Sequence, residues 1–399
     1  MPDSAPEGPP SRRLRSRNDL AALRALYRNR RMSRADLARA LRLNRSSSGN
    51  IIANLLNHGL VREVEDGEFN PTGRAGRPGI LLELVGEAVS FLGVEIGVEH
   101  IAVVELDFAG KAVRTVQQPF DGQVRDPGLA VEQAVKLALN TLPTGRRDRC
   151  EGLGIATPSQ MDMHGRIRLT PLLGWRDVDL AAIVRESLPA PWPVMVENEA
   201  NAFAIGAVHG RGVGRHGVTL LVNMECGLGG GILVAGQLLR GGNGLAGEIG
   251  HLRLGLEAGP EGPILERRIG LGQLIADYRS QSGRPHAKLA DLIRDVGDRV
   301  PEAVAVADDW ARTLAFALSQ ACRIIDPDTI VLGGSVAGLH SLVATRVLKH
   351  LRAITEESFP LPRIEIPDDI GFGAAYGAAC MMHQRFLMGG DEWGSSAGI

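Results

Sequence analysis

The chain has 399 residues, too many for one ordinary hydrophobic core, so its length predicts two or three domains. Apolar residues make up 44% and charged residues 23%, a globular balance, and no uninterrupted apolar run approaches the roughly 20 residues of a bilayer span, which argues against a membrane helix. The formal net charge of −2 hides an uneven spread: residues 1–79 hold 15 arginines against 8 acidic residues, a balance of +7 that leaves −9 for the remainder. A basic end on an acidic body is the distribution expected when only that end meets nucleic acid; a solvated basic tail is the alternative that charge alone leaves open.

The opening MPDSAPEGPPSRRLRSR has arginines but no apolar run behind them of the kind a secretory signal needs, so residues 1–17 read as a disordered tail and the protein as cytoplasmic. Cys150, Cys226, Cys322 and Cys380 lie far apart without CxxC spacing. That argues against a disulfide framework or a clustered metal site and predicts reduced thiols.

Three helices and a hairpin follow over residues 18–84. Asn18 is placed to cap the first helix, which carries Leu20, Leu23, Leu26 and Tyr27 near helical spacing. Ser33 opens the second, with Asp36 three residues on in the style of a capping box. Asn44 caps the third, which ends at His58-Gly59. Its first half, RSSSGN, is small and polar, and its second, IIANLL, is apolar. A recognition helix needs that division: short donors and acceptors at its N-terminal end to reach base edges, and later turns that anchor it. Arg45, Ser46, Ser47 and Asn50 are the candidate groove contacts. Leu60–Val64 and Phe69 suggest the two strands of a wing around the acidic tip EDGE, which makes the module a winged helix-turn-helix; a three-helix protein-interaction module is the alternative. The TGRAGRPG segment that follows cannot easily join a helix or a central strand. Arg74 and Arg77 within it suit a narrow minor groove, unless the segment is only an interdomain linker.

From about Val85 the text becomes a Gly-rich alternation of strands and helices, the pattern of an α/β fold with ligand crevices at strand ends. PVMVENEANAF ends a strand on two carboxylates and two amides, Glu197, Asn198, Glu199 and Asn201. The ordered set GVEIGVEHIAVVELD, GIATPSQMD, VENEANAFAIGA, ECGLGGGI, GGNGLAGEIGH, DPDTIVLGGSVA and GFGAAYGAA closely resembles the ROK family of repressors, open reading frames and sugar kinases. The prepended SRADLARAL and GRPG are similar to its repressor branch, which includes xylose- and N-acetylglucosamine-responsive repressors. The resemblance covers about residues 18–386. It implies a two-lobed, actin-like or hexokinase-like sugar-binding body over residues 85–386, followed by a flexible tail at 387–399. It further implies that Asn198, Glu199, Glu248 and His251 hold sugar hydroxyls, with Glu199 at the position of the kinases' catalytic Asp. Glu266 falls where the family has a further sugar-binding Glu, across a shortened loop.

Three departures separate holding a sugar from phosphorylating it. The family's kinases begin D-x-G-G-T-K, whereas this chain reads Glu95, Gly97, Val98, Glu99 and His100, and a carboxylate facing incoming phosphates opposes ATP. Glu199 is one methylene longer than Asp, and a misplacement of about 1 Å can cost roughly 10²-fold in rate while sparing a hydrogen bond. The family's zinc cluster is absent: LRLGLEAGPEGPILERR follows His251, with no cysteine before Cys322. These features together predict a sugar-responsive repressor, with no enzyme activity and no cofactor. It would bind operator DNA and a sugar effector as a homodimer or homotetramer. The alternatives are an ATP-dependent sugar kinase with an added DNA-binding domain and a body that docks another protein. One His cannot hold a structural zinc, so metal analysis of the purified protein is expected to find no stoichiometric zinc; one tightly bound zinc per chain would refute this.

Overall fold

A computed structural model of the chain describes residues 16–65, 80–122, 126–212, 216–255, 262–367 and 373–389. The head begins with α1 (Arg17–Asn29), capped by Ser16 rather than by Asn18. The Ser16 hydroxyl accepts from Asp19 N and the Asp19 carboxylate from Ser16 N, each at 3.1 Å. Ser16 has an acid three residues on to complete this reciprocal pair, and Asn18 does not. Then come β1 (Arg31–Ser33), α2 (Arg34–Ala40), capped by Ser33, and α3 (Arg45–Asn57), capped by Asn44, whose Oδ1 accepts from Ser47 N at 2.8 Å. The third helix buries Ser48, Ile51, Ile52 and Leu55; Arg45, Ser46 and Asn50 are exposed and Ser47 is half-buried.

β2 (Val61–Glu65) pairs antiparallel with β3 (Ile80–Leu84), which pairs with β1 on its other edge. The partner strand of the wing therefore follows the Gly-Arg-Pro segment instead of including Phe69. ILLEL has buried Leu82 and Leu84 to give a strand its inner face, whereas FNPTG is interrupted by Pro and Gly. Phe69, Arg74 and Arg77 lie outside the described residues, in the stretch of chain between the two paired strands. That stretch is not the joint between head and body. Glu83 fixes the register by taking Arg31 at 2.8 Å and Arg62 at 2.7 Å from the two flanking strands.

The body uses one sheet plan twice. In the first lobe β4 (Ser90–Ile96), β5 (His100–Asp107) and β6 (Ala112–Pro119) form an antiparallel meander; after α4 (Pro127–Thr141), β7 (Cys150–Thr157) joins β4 in parallel. The short β8 (Gln160–Met161), β9 (Ile167–Leu169) and β10 (Arg176–Val178) make a small sheet of their own. Then α5 (Leu180–Ser187) leads to β11 (Val194–Asn198), parallel to β7. From its end α6 (Glu199–Arg211) runs toward the second lobe. There β12 (Val218–Met224), β13 (Leu228–Val234) and β14 (Gln237–Leu239) form the meander. The helices α7 (Glu266–Ile269), α8 (Leu271–Ser282), α9 (Leu289–Gly297) and α10 (Pro301–Ile325) follow. β15 (Thr329–Gly333) joins β12 in parallel, and after α11 (Ala337–Ile354) β16 (Arg363–Glu365) extends it. Counted from its own first strand, each sheet has the order 3-2-1-4-5, the duplicated two-lobed, actin-like arrangement that the resemblance implies.

α12 (Gly373–Met388) returns to the first lobe and lies on α6, β4 and β7. Backbone meets backbone at these crossings. A Cβ on Gly93 of β4 would fall 2.0 Å from Ala375 O, and one on Gly377 of α12 would fall 1.7 Å from Ala202 O of α6. The helix runs past the expected start of a tail at 387, and Leu387 is buried. Its last turns also enter the head: Leu23, Leu26, Tyr27 and Leu82 share one buried cluster with Phe91, Phe108, Met382 and Phe386. The expected boundary between residues 84 and 85 thus lies inside a continuous core. Among the described residues no helix is long and apolar enough to cross a membrane.

Gly377→Ala is expected to destabilise the protein by about 3 kcal/mol, because neither helix backbone can yield to the new methyl. Gly272→Ala on α8, where nothing lies within 4 Å of the added carbon, is expected to be neutral or slightly stabilising. Denaturant unfolding of the two variants checks this.

Candidate functional site

The largest change of chemistry along β11 comes at its end, where the strand gives way to α6 between the lobes. Asn198 is the N-cap: its Oδ1 accepts from Ala200 N at 2.8 Å and Asn201 N at 3.2 Å. Its Nδ2 donates to Ser159 O and to Glu199 Oε2, both at 2.8 Å. Both amide hydrogens are thus committed inside the protein. Asn198 aims the neighbouring carboxylate, a role that matches the preference of helix starts for Asn.

Glu199 opens α6 and projects into a cleft of about 330 Å³ between the lobes, within the size range of small-molecule sites. Asn198, Glu199, Glu248, His251 and Glu266 all line this cleft, so residues 68 positions apart in sequence come together. Glu248 and His251 flank one short turn with 3.7 Å between Oε2 and Nε2, and His251 is exposed. Glu266, first residue of α7, accepts from Leu228 N at 2.9 Å through Oε2. Gly229 of β13 gives Glu199 its room, since a Cβ there would stand 3.3 Å from Oε1. The glycines of ECGLGGGI serve the same purpose along the strand: Gly230 passes Gly247 O, and Gly231 passes Ala200 and Ala204 of α6. Close approach of α6 and the Gly247 turn accounts for Gly230 and Gly231.

Burial pushes the Glu199 carboxyl up to about 8, and the charges of Glu95, Glu248 and Glu266 push in the same direction. Burial likewise raises Glu248, with His251 opposing and Glu266 adding to the rise. At neutral pH Glu199 is therefore largely protonated, and it can donate as well as accept.

Glu199 also borders a smaller recess of about 40 Å³ lined by Glu95, Glu99, His100, Glu225 and Cys226. This is where the departures from D-x-G-G-T-K lie. Glu95 is buried and stands 3.6 Å from His100 Nε2, and it raises that imidazole above its ordinary value; Glu99 is exposed at the rim. Glu225 is a residue the sequence reading missed. Its Oε1 accepts from Ser335 N at 2.7 Å and its Oε2 from Ser335 Oγ at 2.8 Å, in the Gly-rich loop before α11. Burial, with Glu95 assisting, raises the Glu225 carboxyl. In the sequence it was hidden beside the retained glycines, and the one signal was a carboxylate at the head of a Gly-rich turn.

Arg240, beyond β14, was also missed. It pairs with the buried Glu197 at 2.7 Å across the two lobes and lines the cleft. Asn201, inside the first turn of α6, donates to Glu197 Oε1 at 3.1 Å. Burial pushes the Cys226 thiol up to about 11, which leaves it a neutral, unreactive group. Among the described residues no set of three or more His, Cys, Asp or Glu is placed to hold a metal. His251 faces Glu248 and no thiol, so the residues present do not fit the zinc cluster of the resemblance.

The raised Glu199 carboxyl makes stability depend on pH. Below about 4.5 the group is protonated whether the chain is folded or unfolded. Between there and about 8 the unfolded chain loses that proton while the folded chain keeps it, so this group lowers stability as pH rises. Glu199→Gln is expected to raise the melting temperature of the ligand-free protein, with a gap over the unsubstituted protein that widens from pH 5 to pH 8. A gap that is constant or shrinks over that range would contradict the buried, protonated carboxyl.

The chain is similar to known proteins along most of its length. The xylose repressor of Bacillus spizizenii is 23% identical over 384 residues, spanning 93% of this chain and 96% of its own length. The glucokinase of Halalkalibacterium halodurans is 28% identical but spans 75% of this chain and 93% of its own. In fold, a solved ROK family transcriptional regulator, described as a homolog of the E. coli MLC protein, superposes with a TM-score of 0.72 at 19% identity, over 93% of this chain and 96% of that one. The repressor and the regulator extend into the head. The family profile itself matches residues 91–385, and on that match the chain belongs to the ROK family.

Proposed function

We infer that the protein is a sugar-responsive transcriptional repressor without kinase activity, in which the head binds an operator and a carbohydrate in the cleft alters how the head is held. The observation that carries this reading is Glu225. Its carboxylate takes the backbone N–H and the hydroxyl of Ser335, donors of the kind a nucleotide phosphate needs, and Glu95 and Glu99 add negative charge to the same recess. Relatives named as xylose repressors support it, because their likeness extends into the head while that of the glucokinase does not require it.

In this reading Glu199, Glu248, His251 and Glu266 exchange hydrogen bonds with sugar hydroxyls, and Asn198 contributes by aiming Glu199. A set of carboxylates suits such a ligand, since each accepts from more than one hydroxyl and is costly to leave unpaired. Arg45, Ser46, Ser47 and Asn50, at the start of α3, meet base edges in the major groove, and Arg74 and Arg77 meet the minor groove. A single helix of this kind reads few base pairs, so the DNA-bound unit is a two-fold dimer or a pair of dimers acting in the cytoplasm.

A thermal-shift panel of pentoses, hexoses and amino sugars tests the reading. At least one free sugar is expected to raise the melting temperature, and Glu248→Ala is expected to weaken that sugar about 10- to 100-fold. The same sugar with ATP in a coupled assay is expected to give no turnover, whereas rates of about 1 s⁻¹ or more would establish a kinase. A panel without any protecting sugar would favour a body that docks another protein.

A further inference from the structure

We propose that Tyr27 of the head and His209 of α6 form the joint through which the state of the cleft reaches the DNA-binding module. The inference rests on the regulator reading above and assigns its route. α6 has Glu199 at its first position in the cleft and His209 near its other end, ten residues and about 15 Å away. The helix is built to move as one piece. Asn198 caps one end and Gly212, at φ 73°, caps the other. Between them Gly206 packs against Gly377 of α12, a hypothetical Cβ lying 3.0 Å from the Gly377 Cα. A rod gripped along its length responds to a push at one end by sliding or turning as a body, the shear type of motion that packed helices allow.

At the far end α6 meets the head through a specific contact. The Tyr27 hydroxyl donates to His209 O at 2.6 Å. That carbonyl is in the last turn, where intrahelical donors run out. The Tyr27 ring stacks on the His209 imidazole, with centroids 4.8 Å apart and planes at 23°, and stands edge-on to His383 at 4.7 Å. His209 Nε2 and His383 Nδ1 share a hydrogen bond of 3.0 Å, and His383 is fully buried against Phe91 and Phe108. Gly110, at φ 80°, leaves room for the phenol, since a Cβ there would fall 2.7 Å from Tyr27 Cε2. The neighbouring side chains of the shared core are apolar, and Arg30, at the end of α1, adds a hydrogen bond of 2.5 Å to Ala109 O of the first lobe. The Tyr27–His209 bond and stack are directional, so a shift of α6 carries α1 with it, and α1 carries α3.

The test is a double-mutant cycle in the full chain between Glu199→Ala, which removes the carboxyl at the cleft end of α6, and Tyr27→Phe, which removes only the hydroxyl at the other. The readout is affinity for a duplex that the unsubstituted protein has selected from a random-sequence pool. Sites this far apart should act independently unless something couples them. Glu199→Ala is expected to change affinity about fivefold or more when Tyr27 is present and less than about twofold in the Tyr27→Phe background. Should Tyr27→Phe fail to fold, His209→Asn, which keeps the carbonyl and removes the stacked ring, takes its place with the same expectation. Effects that multiply independently overturn the joint, as does a Glu199→Ala protein whose affinity is unchanged. Failure to select any duplex would instead remove the regulator reading, and the joint with it.

Discussion

The seating of α12 on α6 and on the first sheet is the constraint from which the rest of the body takes its positions. The approach is closer than any side chain permits, so Gly93 and Gly377 are fixed by the contact itself. With the two helices backbone to backbone, α6 starts directly at the end of β11, and Glu199, its first residue, lines the cleft between the lobes. The other end of α12 carries His383 and Phe386 into the head's core. One interface of small residues thereby joins the start of the cleft helix and the seat of the head.

Much of this was legible in the sequence, for identifiable reasons. Caps are local, so Ser33 and Asn44 mark helix starts from composition alone; Ser16 was overlooked because it falls within the Arg-rich residues 1–17 read as a tail. The wing's second strand was misplaced because residues 66–79 stand between the paired strands and the buried alternation of Leu82 and Leu84 comes after them. The cleft set could be gathered from Glu199, Glu248, His251 and Glu266 because motif order preserves which strand ends meet. What stayed hidden depends on distance in space. Nothing near Arg240 announces that Glu197 lies opposite it, and nothing near Glu225 announces Ser335, 110 residues away. Asn198 shows the limit in the other direction: its type suits both a sugar contact and an N-cap, and the four hydrogen bonds of its amide show that it caps α6.

The two cavities also separate what a fold retains from what a site does. The glycines of the second-lobe loops look like phosphate cradles in one dimension, yet β13 needs them to pass α6 and the Gly247 turn. Glycine can therefore persist after any nucleotide role has gone, whereas the side chains between the glycines are free to change. Near them stand acidic side chains: burial and neighbouring carboxylates push the Glu199 carboxyl up to about 8, and burial, with Glu95 assisting, raises that of Glu225. A neutral, hydroxyl-bearing ligand suits such a space, because it can offer donors to whichever oxygens are ionised and accept from those that are not.

The continuous core beneath the head has a consequence for anyone treating the two parts as interchangeable. Leu84, where the pairing of the wing's strands ends, is the point at which the head would be cut away by sequence alone. A cut after Leu84 would expose Leu23, Leu26 and Leu82 on one fragment and Phe91, Phe108 and Phe386 on the other. Each half would then carry a raw apolar face, prone to aggregation or to adhesion to unrelated surfaces. A working hybrid would have to take the last turns of α12 along with the head, although they lie some three hundred residues away in the chain.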